Sequence, residues 1–224
     1  MRKFLLLIIL LFVPSLVGAQ NKEENDPEAV ASGAIFDDRA LLEGYAQRYT
    51  DESKDVLLAM IGDDSLSAYK CAAAVRVLKV NYADQILAKD KPNVIKILWH
   101  RLNHTDSAFV QVEIMHTLVV LDRYQYFENM VSGLILKLDH YNQVVCDLAY
   151  LDLVDITKGS NRTREARIVF NTLRKMLFLS RNYLSKVEDP DRRLHHKIDL
   201  LRWSIKTLGT QELKRLPPEV IRLL

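Results

Sequence analysis

Residues 92–121 read PNVIKILWHRLNHTDSAFVQVEIMHTLVVL. Pro92 stands where a first-turn proline belongs, because the N–H it lacks would have no helical partner there. Val94, Ile95, Leu98 and Leu102 then recur at intervals of three and four, which is a helical stripe. Asn103 to Asp106 is a polar break, and Asp106 is placed to cap a second helix. Phe109, Val112, Met115 and Val119 form that helix's inward stripe. Two helices joined by a short turn, each with an apolar face, make a helical hairpin. One hairpin cannot bury both faces by itself, so it requires neighbours of its own kind.

Working outward, the same unit recurs. First helices are expected to begin near residues 52, 92, 124 and 163, and second helices near 65, 106, 140 and 189. The spacing, roughly 32 to 49 residues, suits helical-hairpin repeats. A preceding helix is expected from about Asp38 to Tyr49. The next runs from about Glu52 to Ile61 and stops at Gly62. Ser65 is read as the cap of the helix carrying Leu66, Tyr69, Ala73, Val77 and Val80. Helices follow over about Tyr124 to Leu138 and Tyr141 to Thr157, then a break at Gly159-Ser160-Asn161. A long helix is expected from Thr163 to Ser185. Asp189-Pro190 is read as the cap of the last long helix, where Leu194, Ile198, Leu201, Ile205 and Leu208 line up before Gly209. Pro217-Pro218 opens a final apolar turn. Seven glycines in 224 residues, with no strand-like alternation, exclude a β-rich fold. The expected fold is all-α: a right-handed α-α superhelix of about four stacked hairpins with an extra N-terminal helix.

At the second helices the chain resembles a HEAT or armadillo-type repeat. That pattern has an Asp near the turn, a Val-Arg-like pair, then small residues followed by Leu. Asp106 to Gln111 with Leu118 is similar to it, as is Ser65 to Leu78 with Tyr69-Lys70 and Ala72-Ala73-Ala74; Asp189-Pro190-Asp191 with Arg193, and Asp139 with Gln143-Val144, match more loosely. Lys70 and Gln111 stand where the pattern has Arg, so the resemblance does not imply a ladder of Asp–Arg contacts. It does imply a curved solenoid over 37–224 that binds proteins or peptides, with no particular chemistry.

The first 19 residues read as an export signal. Arg2 and Lys3 precede an apolar run from Phe4 to Val13, and Val17-Gly18-Ala19 offers a small-residue cleavage site. Even the longer apolar stretch from Phe4 to Ala19 is too short for a membrane span, and it contains Pro14. A periplasmic or secreted location follows as an expectation, with residues 20–36 as a polar, disordered lead-in. The remaining charge is polarised. Residues 20–157 carry 13 Lys and Arg against 22 Asp and Glu, whereas 158–224 carry 16 against 7. The basic C-terminal third therefore suits an anionic envelope surface, unless its charges are answered within the molecule. No nucleic-acid partner and no cofactor are expected.

Cys71 and Cys146 fall in the first and third hairpins. Packed helices lie about 10 Å apart, and a disulfide needs Cα atoms within about 7 Å, so both are expected free. Asp191, His195 and Asp199, at i, i+4 and i+8, share a helix side and could hold a metal ion. His100 and His104 have zinc-helix spacing, but Arg101 stands where a metalloprotease has Glu. Candidate partner-binding residues are Trp203, the turn aromatics Tyr124, Tyr126 and Phe127, and the helix cations Arg192 and Arg193. The function expected first is an exported scaffold or adaptor that binds another protein without catalysis. The alternative is a metal-dependent or hydrolytic envelope enzyme using Asp191, His195 and Asp199.

Overall fold

The computed structural model describes residues 37–224, so the segment read as an export signal and the whole lead-in over 20–36 lie outside the described residues. Helices α1 (Asp38–Arg48), α2 (Lys54–Gly62), α3 (Ala68–Tyr82), α4 (Lys91–His104), α5 (Ala108–Leu121), α6 (Arg123–Lys137), α7 (Gln143–Thr157), α8 (Thr163–Leu179), α9 (Arg181–Leu184), α10 (Arg192–Leu208) and α11 (Pro218–Ile221) follow one another, with no strand among the described residues. Four hairpins result: α2/α3, α4/α5, α6/α7 and α8/α10. Successive hairpins pack second helix on second helix, α3 on α5, α5 on α7 and α7 on α10, and first helix on first helix at α2 on α4 and α6 on α8, while α1 packs on α3. The chain is all-helical, as its periodicity requires.

Several boundaries differ from the sequence reading, each for a local reason. Ser65 does not cap α3. The Asp63 carboxylate accepts from the Ser65 amide at 2.9 Å and its hydroxyl at 2.6 Å, a side-chain turn that delays the helix to Ala68. Asp106 is likewise outside α5, which follows Ser107. The cap of α10 is Asp191, not Asp189, and its carboxylate takes the Leu194 amide at 2.8 Å. The single helix expected over 163–185 is broken at Ser180, whose hydroxyl donates back to the Met176 carbonyl at 3.3 Å.

The largest departure is α5. One inward stripe was expected, yet every residue from Val112 to Val119 is buried. α3, α4, α6 and α7 surround it. A helix apolar on all sides belongs at the centre of a fold, not at its surface.

Charge fastens one hairpin to the next. Arg101 of α4 donates to Asp64 in the α2–α3 turn at 2.9 Å. Arg76 of α3 donates twice to Glu113 of α5, at 2.9 and 2.5 Å. Arg123 of α6 grips both oxygens of Glu165 on α8, at 2.8 and 2.7 Å. Arg167 of α8 reaches Glu212, in the turn after α10, at 2.5 Å. The stack thus has an arginine–carboxylate ladder, built from positions other than those of the repeat pattern. Such forked, charge-assisted bonds fix register as well as contributing energy.

Candidate functional site

Three successive second helices each bring a charged pair spaced i, i+3, and therefore on one face: Arg76 and Lys79 on α3, Glu113 and His116 on α5, Asp152 and Asp155 on α7. Stacking joins them into one network. Lys79 Nζ lies 3.2 Å from Glu113 Oε2, 2.8 Å from His116 Nδ1 and 3.6 Å from Asp152 Oδ1. His116 Nδ1 is also 2.6 Å from Asp152 Oδ1, and its Nε2 is 3.2 Å from Asp155 Oδ2. Among the described residues, His116 Nε2 and Asp152 Oδ2 are buried without a hydrogen-bond partner. Nδ1 holds either a proton or a lone pair, so it serves Asp152 or Lys79, one at a time. The Thr117 hydroxyl is committed to the Glu113 carbonyl at 2.7 Å. The network does not line the grooves at α5–α6 or at α8–α10. It is an arrangement for holding helices together, with cations and carboxylates alternating across the seam.

The next seam, between α7 and α10, carries the histidine side of the sequence-predicted site. His196, the chain neighbour of His195, is buried there and stacks flat on Tyr150, with ring centroids 3.9 Å apart and planes 3° apart. Burial lowers its pKa despite the nearby Asp147 carboxylate. The Tyr150 hydroxyl donates to Asp199 at 3.3 Å. His195 is the exposed neighbour, and its Nδ1–H is donated to the Asp191 backbone carbonyl at 2.9 Å. Asp191 is occupied as the helix cap, and Asp199 pairs with Arg202 at 3.1 Å. Asp191, His195 and Asp199 therefore do not converge. Among the described residues no group of three or more His, Cys, Asp or Glu is arranged to hold a metal ion. His100 and His104 stack on each other, and the His104 Nδ1–H goes to the His100 carbonyl at 2.7 Å.

The turn aromatics separate. Tyr126 and Phe127 are core residues, because neighbouring positions on α6 face the interior. Tyr124 alone is exposed, beneath the Arg164 guanidinium at 5.2 Å. Trp203 packs half-buried against the core. Arg192 is exposed and pairs with Asp147 at 3.0 Å, while Arg193 donates to Gln143 and to the Tyr141 carbonyl. These two cations tie α10 to the start of α7.

The open feature of the surface is a groove of about 620 Å³ between α5, α6 and the α6–α7 turn. Leu102, Met115, Leu136 and Tyr141 line it, with Leu136 and Tyr141 well exposed. Gly133 forms its floor: a Cβ there would stand 2.6 Å from Met115 Sδ, so glycine permits the close approach of α5 and α6. Lys137 crosses one side, donating to Gln111 at 2.5 Å, and burial lowers its pKa. Sequence reading missed both this groove and the charged network. The network did have a signal, a charged i, i+3 pair in each second helix, but its meaning depends on hairpin spacing.

Comparison with known proteins adds no relative: no family model, curated protein or solved structure matches the chain. Fold and site together define a stacked helical-hairpin protein whose buried charges join its layers.

Proposed function

We propose that this protein is an exported, HEAT-like scaffold that binds another protein and performs no chemistry of its own. The observation that carries the reading is the groove. Exposed Leu136 on α6 and Tyr141 in the α6–α7 turn stand beside an open apolar trough, which is how a protein surface presents itself to a partner. The acid–base groups are in keeping with the same reading, because Glu113, His116 and Asp152 engage the cation Lys79 and one another across a helix seam. Export rests on the Arg2-Lys3 n-region, the apolar run and the Val17-Gly18-Ala19 site.

The test is site-specific photocrosslinking in the native envelope. A photoreactive residue at Tyr141 is expected to give one discrete adduct, abolished by Leu136→Asp, while the same probe at Val56 on α2 gives none. Equal adducts at both positions, or none at Tyr141, would remove the groove as the binding surface.

A further inference from the structure

The basic C-terminal third does not spend its charge evenly. Arg167 and Arg215 are answered by Glu212, Arg162 by Glu165, Arg192 by Asp147, Lys197 by Asp139, and Arg202 by Asp199. Other cations of this third, such as Arg164, Lys206 and Lys214, have no carboxylate pair among the described residues either, but they are scattered along it. At the far end of α8 such cations cluster. Arg174, Lys175, Arg181 and Lys186 pair with no carboxylate among the described residues. Glu188 and Asp189 come only in the following loop towards α10.

Large apolar side chains project from the same helix end. Phe178 is 50% exposed, Leu179 76% and Tyr183 60%. The break at Ser180 puts them there, because α8 stops at Leu179 and α9 restarts at Arg181. The Arg181 guanidinium lies 4.4 Å from the centre of the Phe178 ring, leaving an edge of the ring free. Isolated exposed apolar residues need no explanation, but three within six positions, ringed by unanswered cations, do.

We propose that this α8–α9 tip docks on an anionic lipid bilayer surface. Phe, Leu and Tyr on a protruding tip match the boundary between headgroups and acyl chains, where an amphipathic ring or short apolar wedge is at home. Four cations beside them match a negatively charged leaflet. A protein partner would be better met by the larger apolar groove on α5 and α6. The unpaired charges of the tip have one sign, although Tyr183 also borders a smaller groove that reaches Asp139 and Asp191. No described helix is long and apolar enough to cross a membrane, so the contact lies on the surface. The acidic excess of residues 20–157 orients the molecule with this end towards negative charge. The tip extends the scaffold reading by giving the scaffold a place to stand, and it is read out without any protein partner.

The experiment is vesicle co-sedimentation of the chain from Gln20 to Leu224. The probes are phosphatidylcholine vesicles and vesicles of equal phosphatidylcholine and phosphatidylglycerol. Binding is expected only to the anionic vesicles, and it should vanish near 1 M salt, where the Debye length is about 3 Å. Lys175→Glu with Arg181→Glu should weaken binding about tenfold or more. Phe178→Ser with Leu179→Ser should do the same while leaving helicity and thermal midpoint unchanged, since both residues are exposed. Equal binding to neutral vesicles, or either double variant binding like the parent, overturns the proposal. So does binding to soluble polyglutamate as tight as to anionic vesicles, which would make the tip a reader of anionic polymer or of an acidic protein.

Discussion

Glu113→Gln is the sharpest perturbation of the charged seam. The Glu113 side chain is 1% exposed and answers Arg76 and Lys79, themselves only 21% and 12% exposed. Glutamine keeps the shape and removes the charge, leaving two cations facing each other. Breaking a buried pair by removing one partner costs about 3–5 kcal/mol. Asp152, 3.6 Å from Lys79, still answers one of the cations, so the low end applies, about 3 kcal/mol. For a chain of this size each kcal/mol moves the thermal midpoint by about 2–4 °C, so a drop of about 6–12 °C is expected. Glu43→Gln is the control. Its pair with Arg39 is half exposed on both sides, and i, i+4 pairs of that kind contribute about 0.3–0.5 kcal/mol. Thermal and urea unfolding followed by circular dichroism measure both. Combining Glu113→Gln with Arg76→Met should show a coupling of at least about 1 kcal/mol. A Glu113→Gln loss below about 1 kcal/mol would refute the view that this network joins the hairpins.

Two further expectations follow from the same geometry. Burial works to raise the Glu165 pKa, but hydrogen bonds from Arg123 and Ser160 outweigh it, and for Glu212 the hydrogen bond from Arg167 is the main cause; both carboxyls sit below the ordinary value. Their stabilisation is therefore complete above the unfolded pKa, about 4.3, and is lost as pH falls through the depressed folded value. Urea midpoints should decline on acidification through this window, and Arg123→Met should flatten the decline; an unchanged acid slope would contradict the assignment. Cys71 and Cys146 are free and fully buried, and burial raises both thiol pKa values. A maleimide should add to neither in the native protein and to both after denaturation without reductant, whereas an unlabelled pair would mean a disulfide.

The hairpin order was legible because each first and second helix announces itself through a stripe and a break: Pro92 with Val94, Ile95 and Leu98, or the line from Leu194 to Leu208 ended by Gly209. Helix starts were less so. Asp63, Asp106 and Asp189 are all capping residues by type, but an aspartate can serve a local turn as readily as a helix end, and only the fold decides which. The central place of α5 was half visible, since Val112 to Leu121 is apolar on both faces, interrupted by Glu113, His116 and Thr117. Those three are what obscured it. Arg76, Lys79 and Asp152, the partners of Glu113 and His116, lie about a repeat away, and no local pattern pairs them. The surroundings of Asp191, His195 and Asp199 were hidden for a related reason. Spacing puts three groups along one helix side but does not show that Asp191 is the cap, that Asp199 turns to Arg202, or that His196 fills the seam.

Asp38, in the first turn of α1, holds together parts of the chain that are made far apart in time. Its carboxylate accepts from the Tyr69 hydroxyl at 2.5 Å and from the Asn142 side chain at 2.6 Å, more than a hundred positions downstream. A polypeptide leaving a ribosome or a translocation pore N-terminus first has α1 long before it has Asn142. The first helix can settle on α3 early, but its last bond waits for the third hairpin to arrive. Closure of this clasp therefore marks the moment when three of the four layers are in place, and a chain halted before residue 142 is left with the clasp open.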